Sequence, residues 1–358
     1  MAFIPVANIY YLLCYAWKEF APRQIERYAA EKFPDTLHLF ARQLIRGVHL
    51  LRRQGFETGY IAQEESTSAP RGRILMAPSI RTITRQPGRV YCEFDEMSAD
   101  ISSNQILKAT LSRLLGEETL EIKIRRELRQ TIALIANVRS IELDARMFHA
   151  IRVHQNNSLY SFLLTICRFL FESMEAQDRA GQYRFREVDQ DAERMRRIFE
   201  KFVRNFFARR QSIFKVKSER MGWLATAEDG SDLKLLPIMN TDASLRSPNR
   251  TIIIECKYTE SLYQNRFLDE KLKPSHLYQL STYLRNIEDN SEADRRAEGI
   301  LLYPTVRKSL NQSFRLHGHR VSIRTVDLDQ PWPTIEEQML ALIRPQDLNA
   351  SDSNVGLT

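Results

Sequence analysis

Asp242, Glu255 and Lys257 are the residues of this chain whose types and spacing could do chemistry together. Asp242 lies in Thr241-Asp242-Ala243-Ser244-Leu245-Arg246, and Glu255 and Lys257 lie in Thr251-Ile252-Ile253-Ile254-Glu255-Cys256-Lys257-Tyr258. Both runs read as strands, and Ser247-Pro248-Asn249-Arg250 between them reads as a turn. A hairpin turning between Pro248 and Asn249 sets Asp242 directly opposite Glu255. Cross-strand partners have Cβ atoms about 4.5–5.5 Å apart on one face, and Lys257, two residues on, shares that face. Two carboxylates so close repel one another unless a cation sits between them. Oxygen donors at this spacing suit Mg2+, which keeps several waters and takes a phosphate oxygen as a further ligand. The Cys256 carbonyl offers another oxygen. Such an ion acidifies a bound water, and Lys257 can orient that water or stabilise charge building on phosphorus. The chemistry this set points to is phosphodiester hydrolysis.

An acid-x-Lys triplet alone carries little, since Glu121-Ile122-Lys123, Asp232-Leu233-Lys234 and Asp269-Glu270-Lys271 also occur, in charged or polar surroundings. Only Glu255-Cys256-Lys257 ends an apolar strand with an acid placed on the strand before it. Gln279 and Tyr283 are four apart and share a helix face. They are placed to reach the phosphate or the carboxylates, or else are helix surface and a core tyrosine. Glu200 lies in the helix that carries Ile198, Phe202 and Phe206. It either joins the metal site from behind or pairs with Arg196 or Arg204. Arg194, Arg196, Arg197, Lys201, Arg204, Arg209, Arg210, Lys215 and Lys217 stand against Glu200 as their only acid. Such a density suits phosphate contacts, which add affinity without reading sequence.

These residues need a frame. The chain has 358 residues, enough for two or three domains, and a formal net charge of +7 that fits a polyanionic partner. Its four cysteines are scattered with no Cys-x-x-Cys pair, which argues against zinc and for free buried thiols. No signal peptide or membrane span is expected, so the expected location is cytoplasmic. Periodicity predicts a helix opening at an Asn8 N-cap, a second helix over 36–53, and strands over 59–64, 72–76 and 89–94. Residues 79–88 read as a long basic loop or hairpin tip. Helices follow over 104–115, 117–137 and 158–174, with a boundary within 177–191. Beyond it come a helix over 191–210, strands at 213–217, 222–226, 241–246 and 251–258, and a helix over 274–287. Strands at 299–303, 313–316 and 321–326 and a helix over 335–343 complete the pattern. The expectation is an α/β (α+β) chain. A mostly helical region with a small β portion, 1–180, precedes a domain at 181–345 with a central mixed sheet flanked by helices, and 346–358 is a polar tail.

Asp242, Glu255-Cys256-Lys257 and Gln279-x-x-x-Tyr283 resemble the PD-(D/E)XK nuclease superfamily in its Gln-x-x-x-Tyr form. The chain is similar, more closely, to the McrC family of modified-cytosine-dependent restriction systems. The blocks that carry this are 4–17, 72–81, Phe94-Asp95-Glu96-Met97, Asn104-Gln105-Ile106-Leu107-Lys108, Leu235-Leu236-Pro237 with Met239, and Leu277-Tyr278-Gln279-Leu280. The resemblance implies a Mg2+-dependent endonuclease acting on double-stranded DNA that contains modified cytosine. It also implies a partner, an McrB-like hexameric AAA+ ring that binds and hydrolyses GTP. The N-terminal half would dock on that ring and stimulate it, with the basic stretch 81–89 as the candidate for entry. No Gly-x-x-x-x-Gly-Lys-[Ser/Thr] loop occurs here, so GTP falls to the partner. One departure from the superfamily pattern is Thr241, which stands where the nominal motif has proline. The competing readings are a repair nuclease working with a helicase and a non-catalytic DNA-holding adaptor. RNA binding has no RNP-type aromatic motif or Gly-x-x-Gly clamp to support it.

Overall fold

The computed structural model describes residues 4–17, 33–83, 86–151, 157–176, 183–185, 191–258, 263–266, 269–306 and 309–345. Two compact units divide the chain: Met1–Lys32 together with Val188–Thr358, and Phe33–Glu187. Helix α1 (Val6–Trp17) therefore folds with the C-terminal unit, not with the region that follows it.

The middle unit begins with α2 (Thr36–Gln54), capped by Asp35, whose carboxylate accepts from the His38 N–H at 2.8 Å. Leu37, Phe40, Leu44, Val48 and Leu51 turn inward, as their spacing predicts. Strand β1 (Gly59–Thr67), β2 (Arg73–Ile74), helix α3 (Met76–Ile83) and β3 (Val90–Ser98) follow, with antiparallel sheet order β1-β3-β2. The expected long loop at 79–88 is thus corrected, because its first part is helical. The buried Ser79 hydroxyl accepts from the Tyr91 N–H at 2.8 Å and donates to the Tyr91 carbonyl, fixing α3 on β3 by contacts that periodicity does not reveal. Thr84 and Arg85 lie outside the described residues. Helices α4 (Ser102–Leu115), α5 (Ile122–Ala133), α6 (Ala145–Ala150) and α7 (Ser158–Ser173) supply most of the core. The hairpin β4 (Met174–Ala176) and β5 (Tyr183–Phe185) closes the unit.

The C-terminal unit starts at α8 (Ala192–Arg210), then β6 (Lys215–Lys217) and β7 (Arg220–Met221). The strand expected at 222–226 is absent; 222–238 carries only a 3-10 turn at Leu233–Leu235. Next come β8 (Met239–Asn240), β9 (Ala243–Arg246) and β10 (Thr251–Cys256), then the hairpin β11 (Tyr263–Arg266) and β12 (Asp269–Leu272). Helix α9 (Pro274–Ile287), the short α10 (Glu292–Arg295), β13 (Glu298–Thr305), β14 (Asn311–Leu316), β15 (His319–Asp327) and α11 (Trp332–Ala341) complete it. Six strands form one mixed sheet in the order β14-β15-β13-β10-β9-β6, parallel at β10/β13 and β13/β15 and antiparallel elsewhere. Every residue of β10 is buried, as a central strand requires. Helix α9 lies on the face of Ile253, Leu301 and Ile323 through Leu280, Leu284 and Ile287. Gly299 allows that approach, since a Cβ there would meet Leu280 and Leu284 at 2.9 Å.

The placement of α1 corrects two expectations. Asn8 is not its N-cap: the helix starts at Val6, and the buried Asn8 amide donates to the carbonyls of Leu328 at 2.8 Å and Gln330 at 2.9 Å. The division at 180/181 also shifts, because α1 clusters with Val188–Thr358. Tyr11 stacks on Trp332 at 4.3 Å, Tyr15 packs on Phe202 and Phe206, and the Asn205 amide donates to the Tyr15 carbonyl at 3.0 Å. Residues 177–182, 186–190 and the tail 346–358 lie outside the described residues. Among the described residues, no helix is long and apolar enough to cross a membrane. Leu12 is fully buried within this packing. Leu12→Ala is therefore expected to cost about 2–5 kcal/mol, read by denaturant unfolding followed through tryptophan fluorescence. A version lacking 4–17 should lose the cooperative transition of the C-terminal unit; retention of that transition would refute the placement.

Candidate active site

The β9–β10 ladder runs from Arg246 opposite Thr251 to Ala243 opposite Ile254, the register the turn residues predict. Asp242 is the next residue outward, so it stands abreast of Glu255 just beyond the last pair. The Cys256 N–H donates to Asp242 Oδ2 at 2.8 Å and anchors that carboxylate on the neighbouring strand. Glu255 is only 2% exposed. The Lys257 ammonium donates to Glu255 Oε1 and to Gln279 Oε1, both at 2.7 Å, which uses two of its three N–H groups. The Gln279 amide donates to the Tyr283 hydroxyl at 2.7 Å, and that hydroxyl donates to the Asn240 carbonyl at 2.9 Å. Asn240, at the end of β8, lies two residues before Asp242, so this chain of hydrogen bonds ends close in sequence to the first acid.

Electrostatics at the site follow from burial. Asp242 is pushed up from 3.8 to about 7, mainly by desolvation and next by Glu255, against the pull of the Cys256 N–H and Lys257. Burial also raises Glu255, with Lys257 opposing it. Glu200 is raised by burial and by Asp242, and Arg196 holds its Oε1 at 2.8 Å. Glu255 Oε2 is buried with no hydrogen-bond partner among the described residues. An unpaired carboxylate oxygen beside a second raised carboxylate suits a divalent cation, which would relieve both. The Cys256 thiol is pushed well up by burial and stays protonated, so only the Cys256 carbonyl offers an oxygen. Among the described residues no set of three His, Cys, Asp or Glu side chains is gathered for a metal. The residues placed to hold an ion are thus Asp242 and Glu255, with solvent or substrate oxygens completing its shell.

Gln279 and Tyr283 do share one face of α9, and each is engaged. Gln279 holds Lys257, while Tyr283 is part of the core, its hydroxyl pushed up to about 12 by burial. Glu200 pairs with Arg196, one of the two partners its spacing offered, and its charge also interacts with that of Asp242. Sequence reasoning read Arg204 as a partner of Glu200 or a phosphate contact, whereas its guanidinium donates to the Asp242 carbonyl at 2.9 Å. The signal was present: Arg196, Glu200 and Arg204 recur every fourth residue on one helix face. It also passed over His276, whose Nδ1 lies 2.8 Å from the Tyr303 hydroxyl and whose pKa falls to about 4 through burial and the nearby Lys257 and Lys273. Of the other triplets, Asp232 caps a turn by accepting from the Lys234 N–H, and Glu121 precedes α5.

A mixed sheet flanked by helices, with two acids and a lysine gathered at the end of its central strands, is consistent with an α/β nuclease fold. A family model described as "McrBC 5-methylcytosine restriction system component" matches residues 7–304. The chain belongs to that family. It is 30% identical over 339 residues to the type IV methyl-directed restriction enzyme EcoKMcrBC of Escherichia coli strain K12, covering 94% of this chain and 96% of the relative. Among solved structures it is similar to a chain of a refined half-complex from a tetradecameric assembly of Thermococcus gammatolerans McrB AAA+ hexamers with bound McrC. That match has a TM-score of 0.63 at 15% identity and covers 94% of this chain and 75% of the other.

The raised Asp242 has a consequence for stability. An unfolded aspartate loses its proton near its ordinary value of 3.8, whereas the folded one keeps it to about 7. Between these values folding takes up a proton, so stability falls as pH rises, and the full penalty, on the order of a few kcal/mol, stands above about pH 7. In chelator at about pH 8, Asp242→Asn should melt higher than wild type by calorimetry, with the gap closing towards about pH 4. Millimolar Mg2+ should raise the wild-type melting temperature and leave the variant unmoved. A variant that melts lower than wild type at high pH would contradict this account.

Proposed function

We propose that this chain is the endonuclease subunit of a GTP-dependent, methylcytosine-directed restriction complex and hydrolyses DNA phosphodiester bonds with Mg2+. The observation that carries the reading is the convergence of Asp242, Glu255 and Lys257, with Glu255 Oε2 left buried and unpaired. Asp242 and Glu255 would hold the ion, with the Cys256 carbonyl as a further donor. Mg2+ bound there supplies Lewis-acid polarisation of the phosphate and a more acidic water. Lys257, fixed between Glu255 and Gln279, keeps one N–H to meet a phosphate oxygen and stabilise its developing negative charge. Gln279 and Tyr283 set the direction of that ammonium. Glu200, half-buried and raised, is placed to take a proton or to orient solvent at the far side of Asp242. The exposed Arg197 and Lys201, one helical turn apart on α8, offer phosphate contacts beside the site.

The partner in this reading is an McrB-like hexameric AAA+ ring, as in the Thermococcus assembly of McrB AAA+ hexamers with bound McrC, and GTP binding is left to that ring. Docking on that ring and stimulation of its GTPase fall to the N-terminal region, centred on the middle unit. On α3 of that unit Met76 and Ile80 are 67% and 62% exposed, four residues apart, with Arg81 beside them. This is an apolar and basic face suited to a protein contact. The DNA is double-stranded and carries modified cytosine.

The test is a cleavage assay with the chain assembled on its AAA+ partner in Mg2+ and GTP, on methylated and unmethylated DNA. Asp242→Ala and Lys257→Ala should each lower cutting of methylated DNA by roughly a hundredfold or more while stimulated GTP hydrolysis persists. Undiminished cutting by both variants would exclude this site and favour an adaptor that only holds DNA.

A further inference from the structure

Asp242 lies one residue past the end of the β9 ladder, so pairing with β10 does not by itself fix its main chain. Arg204 holds the Asp242 carbonyl, and Thr241 fixes the main chain just before it. Thr241 is 1% exposed, and Ser244 beside it is fully buried. The Thr241 N–H donates to the Glu219 carbonyl at 3.0 Å, and the Glu219 N–H donates back to Thr241 Oγ1 at 2.9 Å. Thr241 Oγ1 also lies 2.9 Å from Ser244 Oγ, and the Ser218 hydroxyl donates to the Thr241 carbonyl at 2.6 Å. Every polar group of Thr241 is therefore bonded. The segment it grips is itself anchored. The Glu219 carboxylate accepts two hydrogen bonds from the Arg246 guanidinium at 2.7 and 2.9 Å, and Arg246 reaches the buried Asp294, which also takes the Thr251 hydroxyl.

We propose that Thr241 is a positioning residue for divalent-cation binding: its hydroxyl and main chain lock the end of β9 to Ser218, Glu219 and Ser244, and so set where the Asp242 carboxylate meets Glu255. This rests on the reading of Asp242 and Glu255 as cation ligands. A valine in its place keeps the shape but leaves the half-buried Glu219 N–H without its acceptor. A proline, the residue of the nominal superfamily motif, removes the N–H that the Glu219 carbonyl accepts. The hydrogen-bonded threonine thus does here what ring rigidity does in a Pro-Asp pair, and the two solutions are not interchangeable in this frame. A serine retains every bond.

The test measures Ca2+ and Mg2+ dissociation constants for the full chain by titration calorimetry, with melting temperatures in chelator as the control for folding. Thr241→Ser should bind within about threefold of wild type, while Thr241→Val and Thr241→Pro should each bind about tenfold or more weakly, the range for groups that orient metal ligands. If Thr241→Val does not fold, Ser218→Ala, which removes only the bond to the Thr241 carbonyl, should weaken binding in the same direction. Thr241→Val with a lowered melting temperature but wild-type ion affinity would overturn the proposal, as would wild-type affinity in Thr241→Pro or, where it is needed, in Ser218→Ala. Wild type that binds neither ion would remove the cation site itself, and the role of Thr241 with it.

Discussion

Backbone register in the C-terminal unit forces a buried carboxylate and a half-buried one together. Once Arg246 pairs with Thr251, the alternation of the ladder delivers Asp242 alongside Glu255, and no choice of rotamer moves them to opposite faces. Burial then raises both acids, and Glu255 makes Asp242 harder still to ionise. The surrounding cations ease this without ending it. Lys257 is shared between Glu255 and Gln279, and Arg196 is divided between Glu193 and Glu200. What is left over is a buried carboxylate oxygen, Glu255 Oε2, with no hydrogen-bond partner among the described residues.

The rest of the site keeps that tension in one place. From Glu255 through Lys257, Gln279 and Tyr283 to the Asn240 carbonyl, the donor-only ammonium and the acceptor-only carbonyl at the far end fix the direction of every bond. It closes through Thr241, Asp242 and the Cys256 N–H. Such a closed set is stiff, because no member can turn without leaving a neighbour unpaired in a poorly hydrated place. Stiffness of this kind aligns groups before a reaction begins, and does not depend on the reaction to assemble them. The seat of α9 on the sheet belongs to the same requirement: without Gly299, Leu280 and Leu284 would lift the helix that carries Gln279 and Tyr283.

Much of this was legible from local pattern, because the pattern is short-range. Ser247-Pro248-Asn249-Arg250 and period-two alternation suffice to bring Asp242, Glu255 and Lys257 together, and Pro274 at the first turn of α9 marks where that helix begins. The misreadings all involve partners distant in sequence. Asn8 has the residue type of an N-cap, yet its acceptors are more than three hundred residues away. Ser79 looks like a loop residue until β3 is beside it. Arg204 was one of many arginines on α8, and only the fold shows that its partner is the main chain of Asp242. The class of each residue was visible; the partner it serves was visible only where a few residues of chain separate the two.

The course of α1 makes the middle unit, in topological terms, a domain inserted into another domain. A ribosome releases α1, with its nearly unbroken apolar surface, well before Phe202, Leu328 or Trp332 exists to cover it. The middle unit has its own core and can fold in the interval, while α1 must wait exposed for the last strands and helix of the sheet. The sheet that carries the two acids is therefore finished only after β15 has been made, long after the middle unit. A truncated product would carry the middle unit without a completed acid pair.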